Sequence, residues 1–325
     1  MLKVSRTYYL FSSGRLRRKD DTLALELTNE RRVIPIEDVD HIYCFSELDL
    51  NTKLLDFLGQ KKVCLHFFNY YGHYSGSFIP RRALLSGFLI VKQVESYLDG
   101  DKRLDLAKRF ADAALHNIRR NLEKREYQED CNRLDEYRKM LINASSVEEV
   151  MSLEAHARKA YYSKWSDITG WDFQGRSKRP PGNALNALIS FGNALVYTTV
   201  LKEIYRTALD PTISYLHEPS ERRYSLSLDV AEIFKPVFVD RLIFRLINLN
   251  MLQDRHFEMN ANSAYLTPEG RKIFVKEFED FAEKTILHRK LKRNIRYKNL
   301  IRLDLYKLIK HILGEESFSP MKVWW

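Results

Sequence analysis

The sequence contains only three cysteines in 325 residues, Cys44, Cys64 and Cys131, and they form no CxxC pair. A disulfide framework and a thiolate zinc site are therefore not expected, and the composition fits a reducing compartment. No run of about 18 apolar residues occurs, so no membrane-spanning helix is predicted. The N-terminal residues also lack the uninterrupted apolar segment of a signal peptide. These absences favour a protein of the cytoplasm.

The composition that remains is that of a folded protein. Apolar residues make up 45% and aromatic residues 12% of the chain, which is enough to build cores and excludes disorder over most of its length. A chain of 325 residues exceeds one ordinary domain and is shorter than three. We therefore expect two unequal domains.

Positive charge is concentrated in the C-terminal part. The formal net charge is +10. Residues 1–80 carry 11 basic and 10 acidic side chains, and the other 245 residues carry 42 and 33. A basic balance favours polyanionic partners, so the sequence predicts that such a partner binds the C-terminal part.

Residues 1–85 have the pattern of a small β-rich, sandwich-like domain. Apolar and polar residues alternate over 22–27, as expected for a half-buried strand, and shorter β-rich segments occur at 33–36 and 41–45. Residues 54–59 suggest one brief helix. Residues 63–68 form a nearly continuous apolar run, typical of a fully buried strand.

Residues 86–325 have a helical period instead, which predicts a larger α-helical domain and an α+β protein overall. Thr267-Pro268-Glu269 is a helix start, with a hydroxyl N-cap followed by proline. The tail from Gly314 is expected to be irregular. The predicted helices are 84–97, 103–123, 130–142, 147–165, 183–207, 229–250, 268–286 and 288–312.

Glu154 lies on the apolar face of the predicted helix 147–165. Steps of three or four residues from Met151 reach Glu154 before they reach Ala157. A buried carboxylate needs a partner, which can be an arginine, a hydrogen-bond network or a metal ion. An internal ion pair with Arg158 is the structural alternative to a functional role.

His217 lies in a proline-bounded connection, 210–219, between two predicted helices. Loops held by rigid helices often carry functional residues, although a single histidine is more often a structural hydrogen-bonding residue. Both interpretations stay open from the residues alone.

Asp229 and Glu232 follow shortly after His217. An N-cap aspartate with a glutamate in the first turn would explain both residues by helix capping and the helix dipole. Pro236, however, cannot donate a hydrogen bond to the carbonyl of Glu232, so a broken or kinked turn is expected there. Glu154, His217 and Glu232 together would offer two carboxylates and one imidazole, a set that suits Mn²⁺ or Mg²⁺.

Three segments, 151–162, 183–195 and 216–236, resemble the CRISPR-associated spacer-acquisition integrase and endonuclease family, the universal first Cas family. They resemble its glutamate helix, its asparagine-rich central helix, and its histidine loop with the acidic helix that follows. The resemblance implies that Glu154, His217 and Glu232 are the catalytic metal ligands, with Asp229 in support. Glu218 departs from the small residues that often follow the family's histidine.

The resemblance also implies an architecture and a reaction. The β-rich domains would pair into a homodimer, and a small second CRISPR-associated protein would bridge two dimers. The cofactor would be Mg²⁺ or Mn²⁺. The reaction implied is spacer acquisition in antiviral defence: the 3′-hydroxyl of a short DNA fragment, double-stranded with partly single-stranded ends, attacks a phosphodiester at the edge of a CRISPR repeat. Metal-dependent nicking of DNA would use the same centre.

Basic clusters agree with a DNA partner, although such runs are often only solvated faces. Residues 284–310 contain ten basic residues and one acid. Phosphates would supply the missing counter-charge. Aromatic residues at 161, 162, 165 and 171 are potential stacking platforms but are more often core residues. The predicted nucleic-acid-binding residues are Arg176, Lys178, Arg179, Arg222, Arg223, Lys290, Arg293 and Arg296.

Two other functions compete with the integrase. The chain could be a general metal-dependent nuclease that acts on branched DNA or RNA in repair. It could also be a catalytically silent nucleic-acid-binding scaffold, whose binding would depend on salt and not on metal.

Overall fold

The computed structural model describes residues 6–80, 84–178, 180–219, 224–260 and 262–325. The chain divides into two compact units, Met1–Ala83 and Leu84–Trp325. The first is built from strands and the second mostly from helices, which confirms the predicted α+β class. The boundary predicted after residue 85, and the dimerisation and DNA-binding roles given to the two parts, stay predictions.

The described residues of the first unit form two four-stranded sheets and one α-helix. One sheet has the order β1-β5-β7-β8, with parallel pairs except at β7-β8, and the other has the order β4-β3-β2-β6. The predicted strands at 22–27, 33–36, 41–45 and 63–68 and the helix at 54–59 each correspond to an observed element. The elements are β1 Arg6–Leu10, β2 Gly14–Lys19, β3 Thr22–Glu26, β4 Arg31–Pro35, β5 Val39–Cys44, β6 Leu48–Asp49, α1 Thr52–Lys61, β7 Cys64–Phe68 and β8 Tyr74–Phe78.

The core of this unit lies between the two sheets and α1. Alternating residues of both sheets point into it, including Leu16 and Leu25 from one sheet and Ile42 and Leu65 from the other. Phe57 of α1 fills the same core. This inward alternation is the physical basis of the period-2 pattern that predicted the strands.

The second unit contains ten helices and two β-hairpins within its described residues. The helices are α2 Gly87–Leu98, α3 Gly100–Glu123, α4 Gln128–Asn143, α5 Val147–Tyr162, α6 Trp165–Thr169, α7 Ala184–Ile204, α8 Ser225–Lys235, α9 Arg241–Asn248, α10 Pro268–Glu283 and α11 Tyr297–Ile312. The hairpins are formed by β9 Phe257–Asn260 with β10 Ser263–Leu266, and by β11 Thr285–His288 with β12 Arg293–Arg296.

The predicted helix 288–312 is wrong over its first third. The chain there forms the hairpin β11–β12, and α11 begins only at Tyr297. Lys292, in the turn, has a φ of 52°, a left-handed conformation that an α-helix cannot contain. The two hairpins add strands to a unit that was predicted to be all helical.

Helix α7 is the apolar centre of the second unit. It is long and apolar enough to cross a membrane, but 72% of its most apolar window is buried inside the fold. It packs against α8, α11 and β10. It is therefore a core helix.

Helix α3 brings the site-bearing helices together. It packs against α4, α5 and α8 along its 24 residues. Two asparagines one turn apart on its buried face, Asn117 and Asn121, are fully buried. Their contacts position the site described next.

The C-terminal residues 314–325 contain no regular element, as predicted, but they are anchored. Phe318, Met321 and Val323 are buried. The backbone N–H of Met321 donates to the carboxylate of Asp304 at 2.6 Å, and that of Val323 donates to Asn117 at 2.8 Å. We call this segment the C-terminal strap.

Candidate metal centre

Helix α5 presents Glu154 on its inner face. Ser146 caps the helix by accepting a hydrogen bond from the Glu149 N–H at 3.2 Å, and Glu149 reaches back to the Ser145 N–H at 2.7 Å. This reciprocal capping confirms the start predicted at residue 147. The Glu154 side chain is 17% exposed, so its carboxylate is mostly buried.

Arg158 joins Glu154 to Glu232. Its Nε donates to Glu154 one helical turn earlier, and its Nη2 donates to Glu232 in α8. The structural alternative for Glu154, an ion pair with Arg158, is therefore present, and it extends to a second acid 74 residues away along the chain. The two predicted carboxylates share one guanidinium.

Lys235 adds a second positive charge at Glu232. Its Nζ donates to the other carboxylate oxygen, Oε1. Burial alone would raise the pKa of Glu232, but the charges of Arg158 and Lys235 outweigh it and hold the pKa well below its ordinary value. Glu232 is therefore an anion in the folded protein.

His217 is held by Asp229. The ring Nδ1 lies 2.8 Å from Asp229 Oδ1. Burial would lower the pKa of His217, but the hydrogen bond and the charge of Asp229 raise it above its ordinary value. An Nδ1 proton directed at a carboxylate leaves Nε2 as the ring atom with a free lone pair when the imidazole is neutral.

Asp229 is not a helix N-cap, so that interpretation was wrong. Helix α8 begins at Ser225, and Asp229 lies in its second turn. Its fully buried carboxylate accepts hydrogen bonds from the backbone N–H groups of Tyr215, Leu216 and His217 at 2.6, 2.9 and 2.9 Å. Asp229 thus fixes the histidine loop rather than its own helix.

Glu218 faces away from the predicted ligands. It pairs with Arg103 of α3 at 2.5 Å and accepts a hydrogen bond from the Tyr97 hydroxyl at 2.6 Å. The acid that contacts His217 is therefore Asp229. Glu218 occupies its unusual position because two residues of α2 and α3 bind it.

The helix that carries Glu232 is irregular at the predicted place. Pro236 begins a π-helical turn, Pro236–Asp240, between α8 and α9. The missing N–H of proline leaves carbonyls without helical donors. Asn117 donates to the carbonyl of Ile233 and Asn121 to that of Pro236, both at 2.9 Å. These two asparagines therefore bind backbone carbonyls at the irregular turn.

A second polar cluster lies behind the carboxylates. Asn121 donates to the hydroxyl of Tyr161 of α5 at 3.2 Å, and Tyr161 interacts electrostatically with Asp240 at the end of the π turn. Burial raises the pKa of Asp240 to about 7. The sequence does not mark Asn117, Asn121 or Asp240, because no linear pattern reveals a buried polar side chain whose partners lie far along the chain.

The donor set fits a divalent cation once the carboxylates are released from arginine. As the side chains lie, no three His, Cys, Asp or Glu residues in the described part of the chain form a metal-binding group. Glu154 and Glu232 nevertheless converge on one cationic group, and His217 is backed by a carboxylate as metal-binding histidines commonly are. The set consists of two carboxylates and one imidazole and contains no thiolate. It therefore suits Mn²⁺ or Mg²⁺ better than a structural zinc ion.

Comparison with protein families decides what kind of protein carries this site. The family model described as CRISPR associated protein Cas1 matches residues 8–280. This chain belongs to the Cas1 family. The resemblance seen in the three sequence segments is thereby confirmed.

Relatives within the family cover nearly the whole chain. A protein named CRISPR-associated endonuclease Cas1 2, from Moorella thermoacetica, is 77% identical over 320 residues, which span 98% of this chain and 100% of the relative. The solved structure of a Cas1 protein from Thermotoga maritima has a TM-score of 0.90 at 42% identity and covers 97% of this chain and 100% of its own. A casposase bound to integration product has a TM-score of 0.87 at 19% identity, covering 98% and 94% of the two chains, which shows a shared fold.

The basic loop of this Cas1 chain is organised by the asparagine-rich helix α7. Arg176 donates to the Asn186 side chain and to the Ser190 hydroxyl, each at 2.9 Å. Lys178 is exposed as a residue, but partial desolvation of its ammonium group, together with the nearby charges of Arg176 and Lys235, lowers its pKa. Arg176 therefore has a structural role in the loop, whereas Lys178 stays available to a ligand near the carboxylates.

The other predicted DNA contacts divide into two groups. Arg179, Arg222 and Arg223 lie outside the described residues. Lys290 and Arg293, in and beside the β11–β12 hairpin, are exposed and form no ion pair with a described acid, whereas Arg296 pairs with Glu283 at 3.3 Å. Of the three predicted contacts in the hairpin, Lys290 and Arg293 are therefore the ones available to bind a phosphate.

Acids outside the basic stretch 284–310 neutralise part of its charge. Arg302 pairs with Glu203 of α7 at 2.5 Å, and Lys310 pairs with Glu316 at 3.1 Å. The ten-to-one count along the sequence therefore overstates the net charge of this surface.

Trp165 and Tyr161 are fully buried, so they are core residues and not stacking platforms.

Proposed function

We propose that this Cas1-family protein is a metal-dependent DNA endonuclease and integrase of CRISPR adaptation. It would insert short DNA fragments into a CRISPR array by attack of a 3′-hydroxyl on phosphodiesters at the repeat edge. The observation that carries this proposal is the meeting of Glu154 and Glu232, both mostly buried, at one cationic position. Membership of a family with relatives named endonucleases supports it.

The residues of the site have distinct tasks in this proposal. Glu154, His217 and Glu232 hold a Mn²⁺ or Mg²⁺ ion, and Asp229 keeps His217 in the tautomer that offers Nε2. The bound ion would polarise the target phosphodiester and stabilise the leaving oxygen. Lys178 lies close enough to Glu232 to influence the local field and is a candidate to bind a backbone phosphate.

The reaction conserves the number of phosphodiester bonds. A bond forms between the 3′-oxygen of the incoming fragment and the target phosphorus, and the bond from that phosphorus to the repeat-strand oxygen breaks. The proton of the attacking hydroxyl leaves, and the departing repeat-strand oxygen takes one up. When water attacks instead, the same centre nicks DNA.

The partners follow from the family resemblance. We expect a homodimer formed through the β-rich units, a small second CRISPR-associated protein that bridges two dimers, and fragments with partly single-stranded ends. The reaction would take place in the cytoplasm, where the CRISPR array is found.

Strand-transfer assays test the proposal. Labelled fragments and a plasmid with a CRISPR repeat are incubated with Glu154→Gln, His217→Ala and Glu232→Gln in Mn²⁺. Each variant should lose strand transfer by more than the roughly 100-fold typical of changes outside the metal's own ligands, while gel shifts show retained DNA binding. Glu218→Gln is the matched control, since that acid binds Arg103, and it should stay active.

The same assay separates the competing functions. Joined strands support the integrase, whereas cut strands alone would indicate a general nuclease of branched DNA or RNA. Full activity in the three variants, or in excess chelator, would contradict a metal centre at these residues. Salt-dependent binding with no metal-dependent product would indicate a scaffold.

A further inference from the structure

Arg158 occupies the position between the two acids of the candidate metal centre. Its side chain is 13% exposed, and its guanidinium donates to Glu154 Oε1 and Glu232 Oε2. Arginine stays charged at any working pH. The guanidinium is thus a permanent cation at the point where Glu154 and Glu232 converge.

Electrostatics explain why a cation must be there in the absence of metal. Two carboxylates brought together away from water repel each other and lose hydration, and both costs are reduced by a shared positive partner. Lys235 contributes a second charge, and of these two acids it pairs with Glu232. Arg158 is the side chain of the described residues that pairs with both Glu154 and Glu232.

A divalent ion needs the same oxygen atoms. Carboxylate oxygens that accept a guanidinium hydrogen bond in the site have that lone pair engaged, and two cations held by the same acids repel each other. Arginine and metal therefore cannot bind these carboxylates fully at one time.

We propose that Arg158 is an internal counter-ion that competes with the divalent cation and must swing away for the metal to bind. The inference rests on the proposed metal centre and adds a closed, arginine-bridged state to it. The apparent affinity for metal is then the intrinsic affinity reduced by the fraction of molecules in which Arg158 has released both acids.

Arg158→Met tests the competition directly, because it keeps much of the side-chain volume and removes the charge. If the open state is a minor one, the variant should bind Mn²⁺ at least about tenfold more tightly than the unmodified protein. Titration calorimetry in chelator-treated buffer, at one fixed pH near neutral, measures the affinity without any activity assay.

Arg138 provides a matched control. It also bridges two acids, donating to Asp112 of α3 at 2.8 Å and to Asp135 of its own helix at 3.1 Å. Arg138→Met should lower the melting temperature in EDTA, as Arg158→Met should, but it should leave Mn²⁺ affinity unchanged. If Arg158 had a purely structural role, both variants would lower the melting temperature and leave the Mn²⁺ affinity unchanged.

A second variant protects the test against misfolding. Arg158→Lys keeps one charge but lacks the forked geometry that spans both carboxylates. We expect Arg158→Lys to have a melting temperature close to that of the unmodified protein. Its Mn²⁺ affinity should lie between that of the unmodified protein and that of Arg158→Met. An affinity equal to or weaker than that of the unmodified protein in both Arg158 variants overturns the proposal.

Failure of this inference and failure of the proposed function give different results. If Glu154→Gln and His217→Ala abolish Mn²⁺ binding but the Arg158 variants do not tighten it, the metal centre stands and the competition is wrong. If Glu154→Gln and His217→Ala bind Mn²⁺ as the unmodified protein does, the metal centre itself is wrong.

Discussion

The carboxylate of Asp229 binds both the backbone and the side chain of His217. One carboxylate oxygen, Oδ1, accepts the N–H of His217 at 2.9 Å and contacts its ring Nδ1 at 2.8 Å. A single buried acid therefore fixes the loop path, the ring orientation and the tautomer of the imidazole. The acid and the histidine are one functional unit, although only the histidine is a ligand in the proposed centre.

The first prediction concerns Asp229→Asn. The amide cannot accept four hydrogen bonds as the carboxylate does, and it removes the charge that orients the Nδ1 proton. We expect Mn²⁺ affinity to fall by about 10- to 100-fold, as measured by titration calorimetry. Asp210→Asn is the control, because the hydrogen bonds that its carboxylate accepts within the described part of the chain come from Thr212. Equal losses in both variants would contradict the role given to Asp229.

The second prediction concerns Asn117→Ala. The Asn117 amide donates to Ile233 at 2.9 Å and Met321 at 3.1 Å, and it accepts from Val323 at 2.8 Å. Leaving these buried groups unpaired should lower the free energy of unfolding by about 2–4 kcal/mol. Chemical denaturation measures this loss.

The same variant should also release the C-terminal strap. We expect limited proteolysis to cleave near residue 321 faster in Asn117→Ala than in the unmodified protein. Asn132→Ala, on the exposed face of α4, is the control. It should change the free energy of unfolding by no more than about 0.5 kcal/mol and leave the cleavage rate of the C-terminal strap nearly unchanged. A strap equally protected in Asn117→Ala would show that Asn117 does not anchor it.

The third prediction concerns Gly192 in α7. A Cβ at this position would lie 2.5 Å from Val239 in the π turn and 2.9 Å from the ring of Phe274. Gly192→Ala should therefore displace the turn that follows Glu232 and destabilise the protein by about 1–3 kcal/mol. Gly100→Ala, at the start of α3 with open space around it, should be neutral or stabilising by up to about 1 kcal/mol. Thermal unfolding of the two variants compares them directly.

Much of the fold could be predicted because local patterns have local physical causes. The helix start at Thr267 is an example: its hydroxyl accepts the Gly270 N–H at 3.1 Å, and Pro268 occupies the first turn, as the three-residue motif indicated. The hairpin β11–β12 could not be predicted in this way. Its short strands have no clear alternation of apolar and polar residues, and the basic residues around them also fit a helix face.

The candidate site could be predicted only in part. Arg158 was identifiable as a partner of Glu154 because the two lie one helical turn apart. Its second contact, with Glu232, depends on how α5 and α8 pack on α3, which no local pattern contains. The ion pair of Arg302 with Glu203 is similar, since the two residues are 99 positions apart.

The fourth prediction concerns the pH dependence of stability at Asp112 in α3. Burial would raise the pKa of this carboxyl, but hydrogen bonds and charges from Lys322 and Arg138 outweigh it and hold the pKa below its ordinary value of 3.8. A lowered pKa in the folded state means that the ionised acid stabilises the fold above pH 3.8 and loses that effect as pH falls through the folded-state value.

Asp112→Asn keeps the shape of the side chain and removes its charge. The unmodified protein should exceed this variant in free energy of unfolding by about 1–3 kcal/mol at neutral pH, and the difference should shrink towards zero in acid below the ordinary carboxyl range. Urea denaturation at a series of pH values measures the difference. Lys322→Met, which removes one cation from the strap side, should show a similar and smaller pH-dependent gap. A difference that stays constant from neutral to acid pH would mean that packing, and not the charge of Asp112, joins the strap to α3.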